Sequence, residues 1–305
     1  MAAPSALDRL RDPSERTLAV LLLAPAFALL ALIVVYPIGK LVWNSFFDLR
    51  LSGGSGGGAR FVGWENYALV LGDKSFWNAT KNTVLITLIT VPGALVVGLG
   101  LAMLANLPFK RQWPVRLALL LPWALPLSFA GLIFAWFFHT EYGVVNDVVR
   151  RLGLGSATEP TMWLLRPGWA FAAICLTIIW KTSSFMALIL LAGLQMIPKS
   201  LYEAAEVDGA SKWQQFWQIT IPMLMPSIIV ALIFRTITAL QTFDIPYTMT
   251  KGGPGEATET LAMLIHKTTI DYLDVGYGST LAVFMFLLSL VVTAVYLRRI
   301  GRNAG

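Results

Sequence analysis

The sequence predicts an all-α polytopic membrane protein with six transmembrane helices. Of its 305 residues, 56% are hydrophobic and only 13% are charged, whereas about 25% of the residues in a soluble domain are charged. Six apolar runs are each close to the roughly 20 residues that a helix needs to cross about 30 Å of hydrocarbon. These runs are residues 17–42, 82–105, 115–138, 168–195, 222–244 and 279–298.

The first apolar run is predicted to be a membrane helix rather than a cleaved signal peptide, because it is too long and no small-residue cleavage site follows it. Residues 1–16 then form a short polar N-terminal segment, and residues 17–305 form one transmembrane domain. Six spans place both termini on the same side. The positive-inside rule makes that side cytoplasmic. The Lys and Arg residues assigned to it are Arg9, Arg11, Arg16, Lys110, Arg111, Arg116, Lys199, Lys212, Arg298, Arg299 and Arg302.

Sequence motifs for catalysis are missing. The chain has no G-x-x-x-x-G-K-[ST] phosphate loop, no nucleophile elbow and no H-E-x-x-H helix. Its two histidines, His139 and His266, are too far apart in sequence to form a metal motif. We therefore expect a non-enzymatic chain without a metal site, and the net charge of +6 is attributed to membrane flanks rather than to nucleic-acid binding.

A polar segment, residues 196–222, lies between the fourth and fifth apolar runs. Ser200 and Glu203 have the spacing of a capping box, and Gly209 supplies a left-handed stop. These signals predict a helix of about nine residues, roughly 13 Å long, and a second helix from Ser211 that runs into Pro222. One interpretation is an ordinary cytoplasmic loop in which Glu203 only caps its own helix.

The pattern in this segment is more specific than a helical loop. Glu203-Ala204-Ala205, Gly209 and Ile219-Thr220-Ile221-Pro222 resemble the EAA loop of permease subunits in bacterial binding-protein-dependent ABC importers, with Ile221 at the usual Leu position. Phe243-Asp244-Ile245-Pro246-Tyr247 and the following Gly252-Gly253-Pro254-Gly255 resemble the MalF- or UgpA-like permeases of carbohydrate-uptake systems.

The resemblance implies a type I ABC importer permease fold in the bacterial cytoplasmic (inner) membrane. It implies four kinds of partner: a second, MalG-like permease, two copies of a cytoplasmic ABC ATPase, an extracytoplasmic sugar-binding protein and membrane lipid, with no nucleic acid. ATP and Mg would bind the ATPase, and this chain would carry no cofactor. The residues expected to couple to the ATPase are Ser200, Tyr202, Glu203, Ala204, Ala205, Asp208, Gly209 and Pro222.

Two cations lie within apolar runs, Lys181 in the fourth and Arg235 in the fifth. Each costs about 2.5–3.5 kcal/mol at mid-bilayer, so such residues are functional candidates. The two runs are predicted to line a polar cavity that suits a sugar. Its predicted residues are Trp180, Lys181, Thr182, Ser184, Phe185, Arg235, Thr238, Ala239, Gln241, Thr242 and Asp244. The alternative is that the two cations pair with acidic groups for packing, or extend to an interface.

The function that the resemblance implies is ATP-driven uptake, by alternating access, of a di- or oligosaccharide of the maltose or trehalose type. A phosphorylated polyol such as glycerol 3-phosphate is the alternative, favoured by Lys181 and Arg235. A stand-alone membrane enzyme or a channel is the alternative from another class.

Overall fold

The computed structural model describes residues 15–51, 59–108, 113–154 and 159–303, so the predicted N-terminal segment lies almost wholly outside the described residues. The first half of the chain contains α1 (Glu15–Leu30), α2 (Tyr36–Asn44), β1 (Phe47–Asp48), β2 (Arg60–Phe61), α3 (Glu65–Gly72), α4 (Lys74–Asn106), α5 (Trp113–Ala124), α6 (Leu127–Phe137) and α7 (Val144–Arg151). The second half contains α8 (Pro167–Gln195), α9 (Lys199–Val207), α10 (Lys212–Gln215), α11 (Ile221–Leu240), α12 (Asp244–Thr250), α13 (Leu261–His266) and α14 (Val275–Asn303).

Long apolar helices dominate the described residues, as expected for an all-α membrane protein. Five are long and apolar enough to cross a membrane: Leu18–Asn44, Lys74–Asn106, Pro167–Gln195, Lys212–Leu240 and Val275–Val295. They coincide with five of the six apolar runs in the sequence. The only strands in the described ranges are the two-residue antiparallel pair β1 and β2, in which Phe47 lies opposite Phe61.

The third apolar run does not form the single helix that we predicted over residues 115–138. It forms α5 and α6, separated by Leu125 and Pro126. A proline disfavours the helical conformation of the residue before it, and its ring clashes with the carbonyl four residues upstream. Pro126 therefore ends α5 and sits at the N-cap of α6.

The fifth run also differs from the prediction at both ends. Helix α11 ends at Leu240 rather than at residue 244, because the ring of Pro246 would clash with the carbonyl of Thr242 in a continuous helix. At its start, α11 continues from α10 through a π-helical turn, Phe216–Thr220. We predicted that the helix from Ser211 runs into Pro222. Instead, Pro222 lies in the first turn of α11, where its missing N–H costs nothing, and the helical segment continues through it.

The centre of the fold is the packing of α4 against α8, and Gly98 of α4 lies at the tightest part of this contact. A Cβ atom built on Gly98 would lie 2.7 Å from Met186 Cβ and 2.9 Å from the Ser183 carbonyl oxygen on α8. Small residues at such crossings allow helix backbones to approach closely in a membrane.

Helix α1, in contrast, has no buried residue in the span that begins at Leu18.

This contact predicts a position-specific effect of adding a methyl group to α4. Gly98→Ala should lower the free energy of unfolding by about 1–3 kcal/mol, as overpacking does. Gly100→Ala is the matched control, because nothing lies within 4 Å of its added Cβ. Thermal unfolding of both variants in detergent measures the difference. Equal midpoints for the two variants would show that α4 and α8 do not approach this closely.

Candidate functional site

A cavity of about 300 Å³ lies where the two broken helices face each other. The break between α5 and α6 contributes one wall, the break between α11 and α12 contributes another, and α8 lies beside both. In a membrane, non-helical backbone is tolerated where it is buried in protein or lines a cavity. The lining residues are Trp123, Leu127, Ile178, Lys181, Thr182, Phe185, Arg235, Thr238, Gln241, Thr242, Phe243, Asp244 and Ile245.

Lys181 of α8 lines this cavity and also satisfies the broken third span. Its Nζ donates a hydrogen bond of 2.8 Å to the backbone carbonyl of Trp123. Helix α5 ends one residue later, so this carbonyl belongs to the last turn, whose oxygens have no partner within the helix. A cation at a helix C-terminus is also favoured by the helix dipole. Lys181 therefore stabilises the break while its charge faces the cavity.

Arg235 of α11 donates hydrogen bonds to threonine hydroxyls on three helices, one of which is α11 itself. Its Nη2 lies 2.9 Å from Thr90 Oγ1 on α4, its Nε lies 3.2 Å from Thr182 Oγ1 on α8, and its Nη1 lies 3.4 Å from Thr238 Oγ1 on α11 itself. Hydrogen bonds that involve a charged group are worth about 1.5–3 kcal/mol each. They offset part of the several kcal/mol that burial of the guanidinium costs.

Neither cation has a carboxylate partner among the described residues. Only 3% of Arg235 and 5% of Lys181 is exposed, so neither extends to an interface. The alternative, that the two cations pair with acidic groups or extend to an interface, is therefore wrong for the described part of this chain. Asp244 lies on the same cavity wall, where its Oδ1 accepts a hydrogen bond of 3.0 Å from Ser128. The lining thus carries two positive charges and one negative charge.

Most of the predicted cavity residues lie on its wall, but three do not. Ser184 and Ala239 are buried away from it, and Trp180 packs on Phe134 with the ring centroids 4.9 Å apart. Trp180 and Ser184 face away because the cavity face of α8 follows helical spacing through Ile178, Lys181, Thr182 and Phe185.

Sequence reasoning missed several cavity residues. Trp123 and Leu127 flank the break at Pro126, which our interpretation of one continuous helix concealed, and Phe243 lies in the break after α11. Thr90 is 145 residues from Arg235 in sequence, and its own run contains other threonines. In the sequence, Pro126 and Pro246 were the only indication of the two helix breaks, and no signal indicated the contact between Thr90 and Arg235.

The segment expected to couple to an ATPase forms α9, which has the nine residues that the sequence indicated. Gly209 has a φ of +77°. The Ala210 N–H bonds the Ala205 carbonyl and the Gly209 N–H bonds the Glu206 carbonyl, which is the Schellman arrangement. Because only glycine adopts this φ without strain, Gly209 defines where α9 ends.

The start of α9 differs from the expectation. Its N-cap is Pro198, without a side-chain cap, so Ser200 lies inside the first turn and the predicted capping box of Ser200 and Glu203 is wrong. The capping box belongs to the next helix, where Ser211 and Gln214 cap each other's backbone.

Helix α9 is held to the membrane-spanning α11 but leaves one face open. The Tyr202 hydroxyl lies 2.9 Å from Thr220 Oγ1, in the π-helical turn that leads into α11.

Lys212 pairs with Glu206, and its hydrogen bond and charge lower the pKa of that carboxyl. Glu203 and Ala204 are exposed, and 89% of Val207 is exposed. This face is free for contact with another protein.

The sequence profile of the family described as "Binding-protein-dependent transport system inner membrane component" matches residues 94–301. The chain belongs to this family, which confirms the resemblance seen in the EAA loop. It is an inner-membrane permease subunit of a sugar ABC importer and not an enzyme, so the stand-alone enzyme or channel is ruled out.

Two relatives cover nearly the whole chain. The sulfoquinovosyl glycerol transport system permease protein SmoG of Agrobacterium fabrum is 69% identical over 94% of this chain and 91% of its own. The trehalose/maltose transport system permease protein MalF of Thermococcus litoralis is 38% identical over 94% of this chain and 95% of its own. A subunit of the crystal structure of a bacterial ABC transporter involved in the import of the acidic polysaccharide alginate has the same fold. Its TM-score is 0.80 at 21% identity, over 97% of this chain and 98% of that one.

The Arg235 network generates a testable prediction at Thr90. Thr90→Val removes a hydroxyl that accepts from a buried guanidinium, and an unsatisfied buried donor costs about 1–3 kcal/mol. We expect a lower thermal midpoint and impaired uptake by the assembled transporter. Thr90→Ser keeps the hydroxyl and should restore both. If Val and Ser variants behave alike, Arg235 does not depend on this oxygen.

Proposed function

We propose that this chain is the permease subunit of an ABC importer for an anionic glycoside of the sulfoquinovosyl glycerol type. The observation that carries the proposal is the cavity that holds Lys181 and Arg235 without a carboxylate partner for either in the described chain. A buried positive charge without a counter-ion is costly, and an anionic substrate would supply that counter-ion. The name of the 69% identical relative, a sulfoquinovosyl glycerol permease, supports this choice.

The chemistry of a sulfonated sugar matches the wall in detail. A sulfonate is ionised at physiological pH and offers three acceptor oxygens, which suit the fork of a guanidinium and the point charge of an ammonium. The sugar hydroxyls would bond Gln241, Thr242 and Asp244, which lie on the same wall. The apolar ring face would contact aromatic side chains such as Phe185 and Phe243. A neutral maltose- or trehalose-type sugar would leave both cations uncompensated.

The family of the chain and the exposed face of α9 support a proposal for the remaining parts of the importer. Its exposed face, with Glu203 and Val207, would dock in a cleft of a cytoplasmic ATPase that binds ATP and Mg. The link between Tyr202 and Thr220 would pass the movement of that ATPase into α11 and so to Arg235. A second permease would close the other side of the cavity, an extracytoplasmic binding protein would deliver the solute, and both termini would be cytoplasmic.

Uptake by the purified complex in liposomes tests the substrate class. The complex is recovered through a tag on this chain, with its own binding protein present. We expect transport of sulfoquinovosyl glycerol and little transport of its desulfonated analogue glucosyl glycerol, of trehalose or of glycerol 3-phosphate. Arg235→Gln should reduce affinity for the sulfonated glycoside by about 3 kcal/mol, which is roughly 100-fold. Preferential transport of trehalose, or of glycerol 3-phosphate, would refute the proposal.

A second experiment tests the coupling role of α9. Gly209→Val forces a branched side chain into a left-handed φ and should abolish ATP-coupled uptake without preventing membrane insertion. Nothing lies within 4 Å of an added Cβ there, so the strain is conformational. Gly209→Asn is the matched control, because Asn tolerates this conformation, and it should retain uptake.

Glu203→Arg reverses the charge of the exposed face and should release the ATPase from the purified complex. Insertion of this chain into the membrane should be unchanged. If the complex stays intact and transports at the rate of the unaltered protein, α9 is not the docking element.

A further inference from the structure

A second pocket, of about 360 Å³, lies next to the cavity, at the end of α11 opposite to the coupling segment. It is formed by α12, α13 and the loop between them. Its lining residues are Tyr247, Lys251, Gly252, Gly253, Glu256, Glu259, Met263, His266, Lys267, Asp271 and Tyr272. We refer to it as the outer pocket.

Three rings in mutual contact separate the outer pocket from the cavity, with Phe243 stacked on Tyr247 and His266 tilted against both. Phe243 lines the cavity, whereas Tyr247 and His266 line the outer pocket. The centroid of Phe243 lies 4.9 Å from that of Tyr247 and 5.2 Å from that of His266. The two spaces are therefore adjacent, with one aromatic layer between them.

The outer pocket has a rigid wall. The side chain of Asn82 on α4 donates to the carbonyls of Glu256 and Glu259 at 3.2 and 3.0 Å, and Thr83 Oγ1 accepts from the Leu261 N–H at 2.8 Å. Thr258 Oγ1 donates to the Gly253 carbonyl at 2.9 Å. These bonds hold the loop before α13 against the start of α4, so the wall is preformed.

Glu259 is a buried carboxylate with an oxygen left over. Only 4% of the residue is exposed. Its Oε1 pairs with Lys267 at 3.3 Å, whereas its Oε2 is buried without a hydrogen-bond partner in the described structure. Burial raises the pKa of this carboxyl, and Lys267 counteracts part of that rise. A buried polar atom without a partner costs about 1–3 kcal/mol, and a hydroxyl donor from a ligand would remove that cost.

From this combination we propose that the outer pocket is a second carbohydrate-binding site, which a glycoside occupies before it passes the aromatic layer into the cavity. A small rotation of the Glu259 carboxylate presents Oε2 to a sugar hydroxyl, which donates to it, and a second hydroxyl accepts from Lys267. The ring packs on Tyr272, which is 61% exposed, and on Tyr247. Aromatic faces beside a few convergent polar groups are the usual composition of a small-molecule site.

The charges of the two spaces also differ in sign. The outer pocket has two cations, Lys251 and Lys267, and three carboxylates, Glu256, Glu259 and Asp271, whereas the cavity has two cations and one carboxylate. The outer pocket therefore binds the uncharged, hydroxyl-rich part of the solute. This orientation, which rests on the proposed function, points the sulfonate toward Arg235.

Protection of a single cysteine from a thiol reagent tests this site. The native Cys175 is replaced by Ser, and Asp271→Cys places an exposed thiol on the outer pocket. The assembled transporter in nanodiscs, without the binding protein, is labelled with a maleimide in the presence of glucosyl glycerol. We expect labelling to slow at least threefold at position 271, and to stay unchanged at Lys74→Cys, an exposed position outside the outer pocket.

Variants separate this pocket from the cavity. Protection at position 271 should persist with Arg235→Gln, and should fall with Glu259→Gln or Tyr272→Ala. Tyr36→Ala is the matched control, because Tyr36 is 65% exposed and lies outside the outer pocket. Unchanged labelling in glucosyl glycerol, or protection lost with Arg235→Gln, would overturn the proposal. Protection that persists in a transporter that rejects sulfonated glycosides would instead refute the proposed substrate.

Discussion

The burial of two positive charges beside neutral oxygens constrains the rest of this structure. Arg235 binds hydroxyls from three helices, and Lys181 binds a carbonyl that a broken helix leaves free. Each cation is thereby held in place without an ion pair to any carboxylate in the described chain. A buried positive charge without a counter-ion costs stability, which is why the proposed substrate is an anion. The two helix breaks, the threonines and the cavity are parts of the same arrangement.

Prolines explain why the cavity lies where it does. Pro126 separates α5 from α6, and Pro246 prevents α11 from continuing into α12. Both breaks lie on the wall of the same cavity, where the freed backbone groups find side-chain partners. The Thr242 carbonyl, for example, accepts from Thr260 Oγ1 at 2.8 Å. Broken helices at a transporter's binding site are a general solution, because irregular backbone in a membrane must be buried or line a cavity.

Local signals in the sequence predicted much of this fold, but they could not predict contacts between residues that are far apart in sequence. Apolar run length locates the spans, and the left-handed stop at Gly209 was correct because it depends on a single φ. The charges of Lys181 and Arg235 indicated a cavity because charge within an apolar run is costly. Thr90 was missed because its role comes from a contact across the bundle. Ser200 was misassigned because Pro198 starts the helix two residues earlier, so spacing alone misplaced the cap.

The most direct test of this account is a structure of the complete transporter with sulfoquinovosyl glycerol bound and the cavity closed. We expect the sulfonate oxygens within hydrogen-bond distance of the Arg235 guanidinium and the Lys181 ammonium, with the sugar hydroxyls toward Gln241 and Asp244. A sulfonate bound only by the second permease, with Arg235 still bonded to Thr90, Thr182 and Thr238 alone, would contradict it.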